Sequence, residues 1–160
     1  MFVLLVNTLV ASEKADTIKG VMVERISHFI TYGQEGGTGF IVCVYGNNTL
    51  ANTFKTVYTD RRLNSLPIII KSISSLSEPI DSCDIFFAIK PVDVKALNLQ
   101  STLLITEDES VLDEGYMIAL FFENQKIRFS INHQAIEDSN LKVNYRLLKA
   151  ASRVINPVRN

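Results

Sequence analysis

The sequence predicts a single α/β domain of three layers, in which a mixed sheet of about six strands carries helices on both faces. Short, apolar, β-branched segments alternate with helical or turn-rich segments as far as Thr106, a pattern typical of parallel strands joined by crossovers. After Gly115, two strand-like segments follow each other directly, which predicts an antiparallel hairpin. A chain of 160 residues is long enough for one domain with its own core.

The leading segment differs from the rest of the chain. Residues 1–11 are almost wholly apolar, and the sequence turns polar at Ser12. This segment is too short to span a bilayer. It suits the apolar part of a secretory signal, although basic residues in front of it are missing, and a buried first strand is the alternative. We expect residues 1–12 to be a truncated signal peptide, and residues 13–160 to be one exported domain that is not itself transmembrane.

The domain should begin with a helix, a strand and a second helix. From Ala15 to Tyr32 apolar residues recur at steps of three and four, which predicts a helix that stops at Gly33. Gly39–Gly46 is apolar at both odd and even positions, as expected for a strand covered on two faces. Asn47 and Asn48 would then cap the next helix. The apolar side of that helix would carry Leu50, Phe54 and Val57.

Three more strands are predicted before Gly115. They are Leu66–Ile73, with Pro67 near its start, Cys83–Ile89 and Ser101–Thr106. Pro91–Leu97 should form a short helix with its proline in the first turn.

The last quarter of the chain predicts a hairpin followed by short elements. The hairpin strands are Tyr116–Glu123 and Lys126–Ile131. A short helix over His133–Asp138, an extended Leu141–Val143 and a final helix ending before Pro157 should follow. The final helix would carry Leu147, Leu148, Ala151, Val154 and Ile155 on its apolar side, and Arg146, Lys149 and Arg153 opposite them.

Charge and motifs argue against several classes of function. Sixteen basic and seventeen acidic side chains give a net charge of −1, so the chain lacks the positive field with which nucleic-acid-binding proteins attract phosphates. We expect no nucleic-acid partner. No serine lies in a Gly-x-Ser-x-Gly motif, and no histidine is linked to a nucleophile by its spacing, so we expect no catalytic residue and no cofactor.

Neither the histidines nor the glycines define a site. His28 and His133 are isolated histidines, and we expect no metal site. Gly33, Gly36, Gly37 and Gly39 precede a strand, whereas a phosphate-binding loop follows one, so they predict a flexible connection.

Polar residues after the first, third and fourth predicted core strands are candidates for a ligand site. Asn47, Lys90 and Glu107 follow these strands, at the edge where open α/β sheets bind ligands. Asp108 and Glu109 extend the acidic group next to Glu107, which a cation would favour. Because carboxylates are also common at helix starts, the alternative is that they begin a helical turn over Ser110–Glu114.

Several segments, in this order, resemble the YfiR-like family of periplasmic proteins. They are a leading amphipathic helix, FIVCVYG, CDIFFAI, STLLITED, GYMIALFFENQKIRFSIN and LKVNYRLLKAASRVI, and they cover about residues 15 to 155. The resemblance implies an exported, non-enzymatic α/β domain. It also implies that the domain restrains an inner-membrane diguanylate cyclase by contacting the periplasmic part of that enzyme. A small-molecule sensor that uses Asn47, Lys90 and Glu107 is the alternative function.

The resemblance also bears on the two cysteines. Cys43 and Cys83 match a cysteine pair that recurs in the corresponding strands of the family, which implies a disulfide. Two buried free thiols are the alternative. The chain departs from the family in two ways, because the tryptophan usual near the end of the first helix is replaced by Tyr32 or lost, and a further C-terminal cysteine pair is absent. A homodimer is among the expected assemblies.

Overall fold

The computed structural model describes residues 3–33 and 37–157, with the backbone alone for residues 3–10. The helices are α1 (Val3–Ser27), α2 (Asn48–Val57), α3 (His133–Glu137), α4 (Tyr145–Ala150) and a 3₁₀ helix (Glu109–Glu114). The strands are β1 (Ile30–Thr31), β2 (Phe40–Tyr45), β3 (Arg62–Leu63), β4 (Leu66–Ile73), β5 (Ile85–Ala88), β6 (Leu103–Thr106), β7 (Ile118–Glu123), β8 (Lys126–Asn132), β9 (Lys142–Val143) and β10 (Arg153–Ile155).

The main sheet has eight strands in the order β10-β8-β7-β6-β5-β2-β4-β3. Its centre, from β4 to β7, is parallel, whereas β8 runs antiparallel to β7 and β3 runs antiparallel to β4. The predicted fold class is therefore confirmed, with two short edge strands beyond the expected six. A separate pair of strands, β1 and β9, forms a two-stranded antiparallel sheet.

Continuous apolar runs form the central strands because both faces of these strands are covered. All four residues of β5 and all four of β6 are buried, and β2 buries every residue except Ile41 and Tyr45. The predicted strands thus lie at the centre of the core, as expected for parallel strands between two layers.

Helices α1 and α2 cover one face of the sheet. A Cβ atom at Gly20 would lie 3.2 Å from the Phe54 ring, so glycine allows α1 to approach α2 closely. The hydroxyl of Tyr58 donates a 2.6 Å hydrogen bond to the carbonyl oxygen of Gly20. The connection from β2 to β4 moves toward one edge of the sheet, whereas the connections to β5, β6 and β7 move toward the other edge. Because parallel crossovers are right-handed, the segments before β5, β6 and β7 lie on the face opposite α2.

The first helix differs from its predicted range at both ends. Its C-terminus is Ser27 rather than Tyr32, and its N-terminus is Val3 rather than Ala15. Ile30 and Thr31 pair instead with Val143 and Lys142 of β9. The apolar spacing alone could not reveal this, because burial against a distant strand selects the same residue types as a helix face.

The other two corrections concern short segments. The predicted final helix stops at Ala150, and Arg153–Ile155 instead forms β10, parallel to β8. The predicted helix over Pro91–Leu97 is a series of turns, held where the Val92 amide donates to the Tyr116 hydroxyl at 2.9 Å. Among the glycines of the predicted flexible connection, Gly36 lies outside the described residues, and the others lie between β1 and β2.

Candidate functional site

The loops after β2, β5 and β6 meet at one edge of the sheet. These three strands are parallel neighbours, so their carboxyl ends lie side by side. Asn47, Lys90 and Glu107 therefore share the edge at which open α/β sheets bind ligands.

Asn47 is the N-cap of α2. Its backbone is extended, with φ −154° and ψ 102°, and its side-chain oxygen accepts a 3.0 Å hydrogen bond from the Leu50 amide. This bond satisfies one of the amides left unpaired at a helix start. The predicted capping role of Asn47 is confirmed, and the amide oxygen is thus already engaged. Asn48 is the first residue of the helix, and its side chain bonds to the Ser72 hydroxyl.

Glu107 forms an ion pair that the sequence did not indicate. Its carboxylate lies 2.6 Å from the ammonium of Lys19 in α1, and the same ammonium lies 3.0 Å from Asp16. Burial lowers the pKa of Lys19, but the hydrogen bonds and charges of the two carboxylates outweigh that effect, and the net shift is upward. Glu107 therefore joins the loop after β6 to the first helix.

Lys90 contributes an exposed side chain to this edge. It packs beside Gly46, whose φ of +90° suits glycine, and a Cβ atom at Gly46 would lie 3.4 Å from Lys90 Cγ. Within the described residues, no hydrogen bond or ion pair connects the side chains of Asn47, Lys90 and Glu107 to one another. The three candidate residues therefore share an edge without converging on one point.

The neighbouring carboxylates serve the 3₁₀ helix. Asp108 is the N-cap and accepts a 2.9 Å hydrogen bond from the Ser110 amide, and the Ser110 hydroxyl and amide lower the pKa of Asp108. Glu109 accepts hydrogen bonds from the Ser130 hydroxyl at 2.6 Å and from Arg153 at 3.2 Å. The interpretation of these residues as a helix start is confirmed. Their partners on β8 and β10 had no signal in the sequence.

The histidines do not assemble a metal centre in the described part of the chain. The expectation that His133 is isolated is wrong, because it lies 3.2 Å from Glu137, one turn along α3. Across residues 3–33 and 37–157, no group of three histidine, cysteine, aspartate or glutamate side chains is placed to hold a metal ion.

A disulfide joins Cys43 and Cys83. Their Cα atoms are 5.9 Å apart, and both residues are buried. Because β2 and β5 are neighbours, the bond joins the middle of β2 to the segment just before β5. Asp84 follows it directly, and its carboxylate accepts a 2.7 Å hydrogen bond from the Ile41 amide. Burial raises the pKa of Asp84 and outweighs the lowering effect of that bond.

One comparison with known proteins gives a match. The family model described as YfiR/HmsC-like (DUF4154) matches residues 16–152. A search of the curated proteins found no match to the chain. In the parts of the chain that the structure describes, none of the helices has the length and apolar character needed to cross a membrane.

Proposed function

The chain belongs to the YfiR/HmsC-like family, and we propose that it restrains an inner-membrane diguanylate cyclase by binding the periplasmic part of that enzyme. By stabilising an inactive state of the cyclase, the bound protein would lower the level of cyclic di-GMP. A regulator of this kind must bind the inactive state more tightly than the active one. The observation that carries the proposal is the family match, which covers the whole sheet apart from β10.

The arrangement of the carboxyl edge supports a binding role over a catalytic one. The polar groups there hold helices and loops together, since Asn47 and Asp108 cap helices and Glu107 pairs with Lys19. The alternative of a small-molecule sensor has weaker support, because two of its three residues, Asn47 and Glu107, already have partners within the fold.

Export is part of the proposal. The family is periplasmic, and the family match starts at residue 16, beyond the proposed signal segment 1–12. A C-terminally tagged copy in the native host should appear in the periplasmic fraction with residues 1–12 removed, as mass spectrometry of the mature N-terminus would show. Recovery of the mature protein from the cytosol would contradict the export.

Two measurements test the regulatory role. Deleting the gene in its native host should raise cyclic di-GMP, and deleting the membrane cyclase as well should return it to the starting level. The purified chain should also bind the purified periplasmic part of that cyclase in a calorimetric titration. Unchanged cyclic di-GMP after the single deletion, together with no heat of binding, would contradict the proposal. Sedimentation of the same sample tests the predicted homodimer.

A further inference from the structure

The outer edge of β4 is open along most of its length. Strand β3, the last in the sheet, pairs with Leu66 and Pro67 alone, whereas β4 continues to Ile73. In the described part of the chain, no strand pairs with β4 on this side from Ile68 onward. The Ile68 amide donates one hydrogen bond of 3.4 Å to the Arg61 carbonyl.

Alternation along the strand identifies the free backbone groups. The amide of Ile68 points outward, toward Arg61. Successive residues of a strand direct their backbone N–H and C=O groups to opposite sides. The backbone groups of Ile70 and Ser72 therefore also point outward, while those of Ile69 and Lys71 bond to β2. Ile70 and Ser72 thus offer two donors and two acceptors to an added strand.

A basic groove runs beside this edge, on the face that carries α2. It has a volume of about 330 Å³, and the residues that line it include Lys55, Arg61 and Arg62, one acidic residue, Asp60, and Ile68 and Ile70. Arg61 is paired with Glu24. Lys55 has no ion pair within the described residues, and Arg62 donates a hydrogen bond to the Ser65 carbonyl. The groove therefore presents net positive charge beside unpaired backbone groups.

We propose that β4 and this groove bind an extended acidic peptide segment of another protein by strand addition. The backbone of the peptide pairs with Ile70 and Ser72, and every second side chain, which faces the groove, is acidic and lies near Lys55 and Arg62. A second copy of β4 fits less well, because the sequence of Leu66–Ile73 contains no acidic residue. This inference goes beyond the proposed function and does not depend on the identity of the cyclase.

The test uses the full chain and a fluorescein-labelled peptide, TVEVEVT, whose glutamates share one face when the peptide is extended. Fluorescence anisotropy should show binding of TVEVEVT and much weaker binding of TVKVKVT. Lys55→Glu combined with Arg62→Glu should weaken binding by about tenfold or more, because it replaces two attractions with two repulsions. Lys142→Glu combined with Arg146→Glu makes the same charge change on exposed residues that do not line the groove, and it should leave binding unchanged.

Backbone pairing is tested separately. N-methylation of the alternate amides that face β4 should abolish binding, whereas N-methylation of the other alternate amides should preserve it, because an added strand bonds through every second residue. Ile70→Pro removes one outward donor of β4 and should likewise abolish binding of TVEVEVT. Circular dichroism checks that this variant folds. The methylated peptides leave the protein itself unaltered. Equal binding of all peptides, no binding of TVEVEVT, or self-association of the chain that Ile70→Pro abolishes would overturn the proposal.

Discussion

The ammonium of Lys19 lies 2.6 Å from the carboxylate of Glu107, and this contact joins α1 to the loop after β6. Asp16, one turn earlier in α1, lies 3.0 Å from the same ammonium. The side chains of Lys19 and Asp16 are only 16% and 11% exposed, so water screens this group less than it screens a surface ion pair. Removal of the single cation would leave two poorly hydrated carboxylates without a counter-charge.

We therefore expect Lys19→Met to lower the free energy of unfolding by about 1–3 kcal/mol, the range for a charged partner lost from a shielded site. Lys14→Met is the control, because Lys14 is exposed in the same helix and has no ion pair within the described residues. Urea denaturation at neutral pH measures both variants. Equal stability of the two variants would show that the ion pair contributes nothing.

The same pair predicts a dependence on pH. The pKa of Lys19 is raised in the folded state above its ordinary value of 10.5. Its stabilising contribution is therefore complete below 10.5 and disappears as the pH rises through the folded-state pKa. The difference in stability between the wild type and Lys19→Met should shrink in strongly alkaline solution. A constant difference from neutral to alkaline pH would contradict this assignment.

The role of Asn47 can be tested within its own helix. Asn47→Ala removes the bond to the Leu50 amide and should cost about 1 kcal/mol of stability. Asn47→Asp keeps an acceptor at a helix N-terminus and should retain the stability of the wild type. Asn52→Ala, at an exposed position in the same helix, is the matched control and should be neutral or slightly stabilising. Thermal unfolding of the three variants distinguishes capping from a role confined to ligand binding, which would leave stability unchanged.

The central strands could be predicted because each is a continuous run of apolar residues, as burial on both faces requires. Segments such as Phe40–Tyr45 and Ile85–Ala88 are apolar at every position or nearly so, and the Asn124–Gln125 turn separates two obvious hairpin strands. The outermost short strands could not be predicted. β10 has three residues and exists because it pairs with β8, a contact that no local pattern encodes.

The candidate site shows the same division. Asparagine is a common residue at helix starts, so the sequence predicted capping by Asn47. For Asp108 it offered a helix start only as the alternative to a cation site, and did not identify which residue is the cap. Glu107 pairs with Lys19, and Glu109 pairs with Arg153. Both partners are distant along the chain, and only the folded sheet brings each pair together. The open edge of β4 can be recognised only from the strand order, because the sequence of Leu66–Ile73 does not reveal whether a strand is central or near the edge of the sheet.

We expect substitution of Asp84 to change the stability of the fold in a way that depends on pH. Burial raises its folded-state pKa above the ordinary value of 3.8, so folding disfavours the charged carboxylate. The resulting cost is absent below 3.8, where the group is protonated in both states, and appears as the pH rises through the folded-state pKa. Asp84→Asn keeps an oxygen that can accept the Ile41 hydrogen bond. It should therefore be more stable than the wild type at pH 7 and similar to it near pH 3.

Asp81→Asn supplies the control for this experiment, because Asp81 is exposed and only three residues away. Its stability should follow that of the wild type at both pH values. If Asp84→Asn is less stable than the wild type at pH 7, the charged hydrogen bond to Ile41 outweighs the cost of burial, and the direction of the pKa shift is wrong.

The disulfide should be a major source of stability. It links residues 40 positions apart, and in the chain-entropy treatment closing such a loop restricts the unfolded chain enough to contribute about 4 kcal/mol. Combining Cys43→Ala with Cys83→Ala removes the bond without burying a hydroxyl, and it should lower the urea midpoint markedly. A thiol reductant should lower the wild-type midpoint to a similar value and leave the double variant unchanged, which separates loss of the bond from loss of sulfur packing. If reduced and oxidised wild type unfold at the same urea concentration, the bond does not stabilise the fold. In that case the paired strands β2 and β5 are held by their hydrogen bonds and apolar contacts alone.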